Sequence, residues 1–285
     1  MPTYTLNVGG RLLDLSTPQV MGILNLTPDS FYADSRVQTA DAIRQRTEQI
    51  IAEGASVIDV GAYSSRPQST DITAAEEMQR LRDGLSVVRA AAPDAILSVD
   101  TFRSDVARMC VEEYGVHIVN DISGGSLDPA MLPTVARLGV PYVLMHMQGT
   151  PQTMQQHTHY DDLVADMLLY FAERIQRLRD CGQKDIILDP GFGFAKTTEQ
   201  NYDVLARLDT FHLFGLPLLV GLSRKSMIYK PLGVTPQTAL NGTTAAHAFA
   251  LERGCHLLRV HDVRAAVEAV RIHQMLKPKT QDHHD

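Results

Sequence analysis

Positive charge is scarce in this chain. Lysine and arginine number 26 against 33 aspartates and glutamates, which gives a formal net charge of −7. The basic residues are scattered along the sequence and form no stripe on one face. A surface that binds nucleic acid is therefore not expected.

Cysteines are few, odd in number and widely spaced: Cys110, Cys181 and Cys255. They form no C-x-x-C motif, and no pair of histidines stands near them at the spacing of zinc ligands. This pattern excludes a disulfide framework and predicts three buried, reduced thiols.

Long hydrophobic runs are also missing. The longest apolar stretches, such as residues 216–222, are far shorter than the roughly 20 residues that a membrane-spanning helix needs. The first residues, MPTY, have neither the basic nor the apolar region of a signal peptide. We therefore expect a cytoplasmic protein without a membrane partner.

The rest of the composition is that of an ordinary globular protein, with 44% hydrophobic and 21% charged residues among 285. Disordered, collagenous and coiled-coil classes are excluded. At roughly 150 residues per domain the length allows two domains, but a single α/β barrel has the same length.

Short apolar runs recur eight times along the chain, and helical-period segments separate them. The runs begin at Val20, Ser56, Ala95, His117, Pro141, Asp185, Pro217 and Cys255. Thr73 and Glu76 form a capping-box pattern at the start of one helical segment. Eight strand-helix units in this length predict a (β/α)8 TIM barrel, in preference to an open doubly wound sheet.

The first 17 residues place Gly9 and Gly10 between two alternating segments, which predicts a short β-hairpin that caps one end of the barrel. We expect one domain over residues 1–285, with a disordered tail at 277–285.

Polar groups follow the apolar runs, where the C-terminal ends of barrel strands build a common pocket. These groups are Asn25, Ser64 to Arg66, Asp100, Asn120 with Asp121, His146, Asp189, Ser223 to Ser226, and Arg259 with His261. Any one of them, Asp121 for example, is explained equally well as a helix cap or loop residue. The whole set is not, and it predicts a binding site.

The chemistry of these groups indicates two kinds of ligand. Asp100, Asn120 and Asp189 directly follow buried runs and need hydrogen-bond partners, which a planar heterocycle with several N–H donors would supply. Arg259 and His261, with Arg66 and Asn25, could hold a phosphate or diphosphate. The turn at 223–226 opens a helix whose amides favour a second anionic substrate.

Lysine with two aspartates in a barrel could also indicate a Schiff-base aldolase. Lys225, however, lies beyond its strand, next to a second cation, rather than within an apolar run.

Eight segments together closely resemble the dihydropteroate synthases, over residues 18–272 and in the same order. They are NLTPDSF at 25–31, SSRP at 64–67, SVDT at 98–101, NDISGG at 120–125, MHMQG at 145–149, DPGFGF at 189–194, SRKS at 223–226 and RVHD at 259–262. The resemblance implies a transferase of folate synthesis. Such an enzyme joins 6-hydroxymethyl-7,8-dihydropterin diphosphate to para-aminobenzoate with Mg2+ and releases pyrophosphate. It also implies a homodimer formed through late helices.

The resemblance further implies a role for each matching residue. The pterin ligands would be Asp100, Asn120, Asp189 and Lys225, and the diphosphate ligands Asn25, Ser65, Arg66, Arg259 and His261. Para-aminobenzoate would contact Ser226, Phe194, Pro67 and Phe31. Mg2+ would bind at Asn25, and the catalytic residues would be Lys225, Arg66, Asp100 and Asn25.

Two loops depart from the family pattern. The second loop reads AYSSRPQ at 62–68 where the family commonly has GESTRPG, so Tyr63 and Gln68 alter its shape and charge. The first loop around Asp34 also differs from the usual SDGG run. Two alternatives stay open: a related barrel that transfers a methyl group from methyltetrahydrofolate, and a pterin-binding protein without catalysis.

Overall fold

A computed structural model of the chain describes residues 4–26, 40–64 and 71–276. The predictions for Phe31 in the first loop, for Ser65, Arg66 and Pro67 in the second, and for the tail 277–285 lie outside these residues.

The predicted hairpin is present at the start of the chain. Strand β1 (Thr5–Val8) pairs antiparallel with β2 (Arg11–Asp14). Gly9 and Gly10 turn the chain between them with φ of 65° and 82°. Positive φ at both central positions is the requirement of a two-residue turn that matches the twist of a hairpin.

Eight parallel strands of the described residues form the predicted barrel. They are β3 (Gln19–Asn25), β4 (Val57–Gly61), β5 (Ile96–Asp100), β6 (Ile118–Asp121), β7 (Tyr142–Met145), β8 (Ile186–Asp189), β9 (Leu219–Val220) and β10 (Leu257–Val260). The sheet runs in the order β8-β7-β6-β5-β4-β3-β10-β9. A parallel bridge between Leu188 and Leu218 joins its two edges, so the barrel closes.

The helices follow the strands in alternation, as the sequence predicts. They are α1 (Ala40–Ala52), α2 (Ala74–Ala91), α3 (Ser104–Tyr114), α4 (Met131–Leu138), α5 (Leu163–Asp180), α6 (Thr198–Ala206), α7 (Ser226–Tyr229), α8 (Leu240–Glu252) and α9 (Val263–Leu276). The capping box at α2 is confirmed, since the Thr73 hydroxyl accepts from the Glu76 amide and the Glu76 carboxylate accepts from the Thr73 amide. No helix within the described ranges is both long and apolar enough to cross a membrane.

Two buried layers position the site. The larger lies between the barrel strands and the helices around them. The smaller fills the N-terminal end of the barrel, where Leu6, Val8, Leu13 and Leu15 of the hairpin segment pack against inward-facing residues of the strands. The hairpin therefore caps this end, as predicted, and the C-terminal end of the barrel is left for ligands.

Candidate active site

Strand register places Asn25 and Asp100 in one layer at the C-terminal mouth. Asn25 pairs with Gly61 across β3 and β4, and Gly61 pairs with Asp100 across β4 and β5. A Cβ at Gly61 would lie 3.4 Å from the Asp100 Cβ and 3.7 Å from the Asn25 Oδ1. Because Gly61 has no side chain, the Asn25 amide and the Asp100 carboxylate can approach each other above it.

Arg259 lies at the centre of the mouth and binds two carboxylates. Its Nε donates to Asp59 Oδ2 at 2.6 Å, and its Nη2 donates to Asp100 Oδ2 at 2.7 Å. Although burial lowers the pKa of Arg259, the carboxylates of Asp59 and Asp100 raise it above its ordinary value. Arg259, the predicted diphosphate anchor, is therefore already held between two carboxylates.

Asp59 is the site residue that sequence reasoning missed. It is fully buried, and its Oδ2 also accepts from the Asn120 Nδ2 at 3.1 Å. A hydrogen bond thus orients the amide of Asn120, which is itself 3% exposed. The available signal was a lone carboxylate inside the apolar run SVIDV, at a position where an unpaired charge would be costly.

Asp100 has an environment suited to ligand binding. Burial raises the pKa of its carboxyl to about 7, Arg259 opposes this shift, and the negative charge of Asp59 adds to it. Burial thus favours the protonated form of Asp100 more than in an exposed aspartate, and the two protonation states differ in the hydrogen bonds that they offer a ligand. The carboxylate accepts hydrogen bonds only, whereas the acid also donates one.

Asp189 and Lys225 form the opposite wall of the mouth. Asp189 Oδ1 accepts from the Gly191 amide at 2.8 Å. Lys225 Nζ donates to the Phe192 carbonyl and lies 4.8 Å from the centre of the Phe194 ring. Burial lowers the pKa of Lys225 to about 8, against the opposing charge of Asp189.

The turn at 223–226 separates its two cations. Lys225 faces the mouth, whereas Arg224 turns away and binds Asp262 through two bonds of 2.7 Å. Arg224 has a φ of 56°, a left-handed conformation that is uncommon outside glycine. Ser226 is the first residue of α7, so the predicted helix start is confirmed.

His261 follows β10 at the rim and is exposed. Its backbone amide donates to the Ser223 hydroxyl at 3.1 Å, and its Nδ1 lies 3.0 Å from the same oxygen. This contact joins the segment after β10 to the turn after β9. It leaves the imidazole at the edge of the mouth, on the same side as Arg259.

Two strand-end groups have structural roles instead. Asp121 is fully buried and accepts from the Ser123 and Gly125 amides and from the Tyr142 hydroxyl, which supports the loop interpretation. His146 is 1% exposed, and its Nδ1 contacts Lys196 Nζ at 2.9 Å. Neither belongs to the surface of the mouth.

Comparison with known proteins agrees with this geometry. The model of the family described as pterin binding enzyme matches residues 21–261. The dihydropteroate synthase of Escherichia coli (strain K12) is 46% identical over 269 residues, which cover 92% of this chain and 93% of that protein. That of Haemophilus influenzae is 37% identical, with coverage of 94% and 98%.

Solved structures give the same result. A Yersinia pestis dihydropteroate synthase in complex with a sulfonamide drug superposes with a TM-score of 0.89 and is 41% identical, covering 95% of this chain and 98% of its own. A Xanthomonas albilineans dihydropteroate synthase with 4-aminobenzoic acid also has a TM-score of 0.89, at 38% identity, covering 97% and 100%. The chain therefore belongs to the pterin-binding enzymes and, among them, to the dihydropteroate synthase family.

Proposed function

We propose that the chain condenses 6-hydroxymethyl-7,8-dihydropterin diphosphate with para-aminobenzoate to form 7,8-dihydropteroate and pyrophosphate. The main observation behind this proposal is the convergence of Asp100, Asn120, Asp189 and Lys225 on one barrel mouth, a donor and acceptor set that suits the edge of a pterin. The Escherichia coli and Haemophilus influenzae relatives and the Yersinia pestis structure are each named dihydropteroate synthase, which supports it.

The pterin would lie among the carboxylates. Its ring N–H groups need acceptors, and the Asp100 and Asp189 carboxylates supply them at opposite walls of the mouth. The amide of Asn120 is oriented by its bond to Asp59, and its side-chain oxygen would accept from a ring N–H. Fixed partners of this kind reduce the reorganisation needed when the ligand binds.

The diphosphate requires more positive charge than the described mouth offers. Arg259 binds Asp59 and Asp100, and Lys225 faces Asp189, so both cations are already balanced by carboxylates. This balance supports the prediction that Arg66 of the second loop and a divalent cation assist, with Ser65 and His261 at the rim.

Magnesium fits this mouth as an ion held largely by the substrate. Among the described residues, no group of three or more histidines, cysteines, aspartates or glutamates gathers into a metal cage. Mg2+ commonly takes one or two protein oxygens and fills its shell with substrate phosphates and water. Asn25, with Asp100 beside it, would supply the protein oxygens. The bound ion would offset negative charge on the leaving diphosphate.

Para-aminobenzoate would lie between α7 and the loop after β8. Ser226 opens α7, and the Lys225 that precedes it makes no side-chain cap hydrogen bond, so the first amides can meet a carboxylate. Phe194 would flank the ring, with the predicted contacts of Pro67 and Phe31. The carbon-oxygen bond to the diphosphate then breaks with positive charge developing on the pterin methylene. The aniline nitrogen forms a bond to that carbon and loses a proton to solvent, and pyrophosphate leaves. Since a neutral aniline is already nucleophilic, the protein's part is to position it.

Pyrophosphate release tests this proposal. The purified chain is given dihydropterin diphosphate and Mg2+, with and without para-aminobenzoate, and we expect release that depends on the second substrate. Lys225→Ala should abolish most of it, whereas Lys230→Ala, a change at the exposed lysine that follows α7, should not. Pterin binding without release would indicate the non-catalytic alternative, and methyl transfer from methyltetrahydrofolate would indicate the other.

We also propose a homodimer formed through α8 and α9. Large apolar side chains are exposed there, among them Phe249 at 66%, Ile272 at 67% and Met275 at 84%. A groove of about 710 Å³ runs between the two helices. Sedimentation of the chain should report a dimer that Ile272→Glu disrupts and that Leu169→Glu, at an equally exposed leucine of α5, leaves intact.

A cytoplasmic location is proposed as well. It is supported by the three unbonded cysteines. Cys110 and Cys255 are buried as predicted, whereas the prediction of a buried thiol is wrong for Cys181, which is exposed. Disulfides are rare in that compartment.

A further inference from the structure

Lys196 carries a buried amino group for which the proposed reaction has no use, and burial lowers its pKa to about 7 against the opposing charge of Asp189. Lys196 is only 4% exposed and lies in the loop between β8 and α6. Nζ contacts the His146 Nδ1 at 2.9 Å, the Gly191 carbonyl at 3.1 Å and the Phe194 carbonyl at 3.1 Å. When protonated, the amino group has three donors for these three acceptors, and none of the three is a carboxylate.

The loop that Lys196 binds has an unusual backbone. Gly191 and Gly193 have φ of 70° and 82°, which glycine adopts freely, whereas Ala195, next to Lys196, has a φ of 47° that is uncommon outside glycine. At Gly191 the loop lies directly on the end of β7, because a Cβ there would be 2.1 Å from the His146 carbonyl oxygen. Sparsely populated backbone persists only where surrounding contacts hold it.

The two residues whose carbonyls Lys196 binds, Gly191 and Phe194, also shape both halves of the mouth. The Gly191 amide donates to Asp189 Oδ1, which fixes the direction of the carboxylate assigned to the pterin. The Phe194 carbonyl belongs to the residue whose ring lies 4.8 Å from Lys225 Nζ. One ammonium therefore restrains the groups assigned to the pterin and those assigned to para-aminobenzoate.

We propose that Lys196 is a positioning residue that couples the two substrate subsites, by holding the Asp189 carboxylate and the Phe194 ring in fixed relation through the loop after β8. This inference rests on the proposed function. The imidazole of His146 suits the role of acceptor, since burial and then the charge of Lys196 lower its pKa well below the ordinary value and keep it neutral.

Lys196→Met tests the coupling, since it keeps the length of the side chain and removes the three hydrogen bonds. Displacements of about 1 Å can cost about 100-fold in rate. We accordingly expect kcat/KM for para-aminobenzoate to fall by about 10- to 100-fold, and pterin affinity, measured by calorimetry without the second substrate, to fall as well. In a Phe194→Ala background the effect of Lys196→Met on the KM for para-aminobenzoate should shrink, because the ring it positions is gone.

Gln183→Met is the matched control for a general loss of stability. Gln183 is 5% exposed and donates to the Val140 and Asp185 carbonyls at 2.8 Å each, before the start of the same strand β8. It should lower the melting temperature without changing either KM. If Lys196→Met fails to fold, Lys196→Gln, which keeps two donors on a shorter neutral chain, takes its place in the same assays.

Failure of the proposed function and failure of the inference on Lys196 are distinguished by measuring the unaltered chain first. If it releases no pyrophosphate, the proposed function fails, and the pterin calorimetry alone decides the role of Lys196. If it does turn over, and the Lys196 variant lowers stability as Gln183→Met does while both KM values and pterin affinity stay unchanged, Lys196 is only a structural residue and the inference is overturned.

Discussion

Asp59→Asn is the substitution that examines the carboxylate network most directly. Asp59 is fully buried, and its Oδ2 accepts from Arg259 at 2.6 Å and from Asn120 at 3.1 Å. Asparagine keeps the shape of the side chain and an oxygen acceptor but removes the negative charge. The change therefore separates the charge of Asp59 from its volume.

The expected loss of stability follows from the remaining contacts of Arg259. Removing one partner of a buried ion pair costs about 3–5 kcal/mol, because the other charge is left uncompensated. Arg259 retains its 2.7 Å bond to Asp100, so we expect the lower end, about 3 kcal/mol. At about 2 °C per kcal/mol for a large domain, the melting temperature should fall by about 6 °C.

The charge of Asp59 should also be visible in the pH profile. Burial and then Asp59 raise the pKa of Asp100, so removing the charge of Asp59 lowers that pKa from about 7. If the pterin needs the Asp100 carboxylate, kcat/KM for the pterin substrate rises with pH through that pKa, and in Asp59→Asn the rise should begin at lower pH. We further expect a KM about 10-fold higher, equivalent to about 1.4 kcal/mol.

Thermal melts and a pH series of initial rates measure these effects, with Gln183→Met as the control for stability alone. That variant should melt at a lower temperature but keep the unaltered pH profile. The reasoning is refuted if Asp59→Asn melts within about 1 °C of the unaltered chain, since the cost of an unpaired buried charge is larger than that. It is also refuted if the pH profile stays in place.

Three further outcomes are expected. Lys225→Ala should lose most turnover while circular dichroism shows an intact fold, because its Nζ lies at the mouth, where it contacts the Phe192 carbonyl and the Phe194 ring. Arg224→Ala should raise the KM for para-aminobenzoate, seen in steady-state kinetics, because the bonds to Asp262 that hold the left-handed turn are lost. Asp100→Asn should flatten the rise of kcat/KM near pH 7, because it removes the carboxyl group whose pKa burial raises to about 7.

The fold was predictable because its signals are local and repeated. Each strand is a short apolar run, and each helix has its own period and often its own cap, as at Thr73. The hairpin needed only two glycines between alternating segments. Eight repetitions of one unit left little choice of architecture, and the structure has the eight strands at the predicted places.

The site was predictable only at the strand ends. Asn25, Asp100, Asn120 and Asp189 come together because a parallel barrel brings all its C-terminal ends to one face. Asp59 lies inside its strand, two residues before the end, and nothing in the sequence says that it meets Arg259, 200 positions away. Such a partner depends on which strands are neighbours and on their register, and both are known only once the barrel is closed.

Two adjacent cations show that the direction of a side chain also depends on tertiary contacts. Arg224 and Lys225 are neighbours in sequence, and periodicity gives no reason to separate them. Arg224 adopts a φ of 56°, and its guanidinium leaves the mouth for Asp262, while Lys225 turns inward to the loop after β8. Because Arg224 is held by a residue of the segment after β10, its bonds tie the turn after β9 to the neighbouring strand. In the SRKS segment one cation thus faces the mouth, while the other is bonded to the segment after β10.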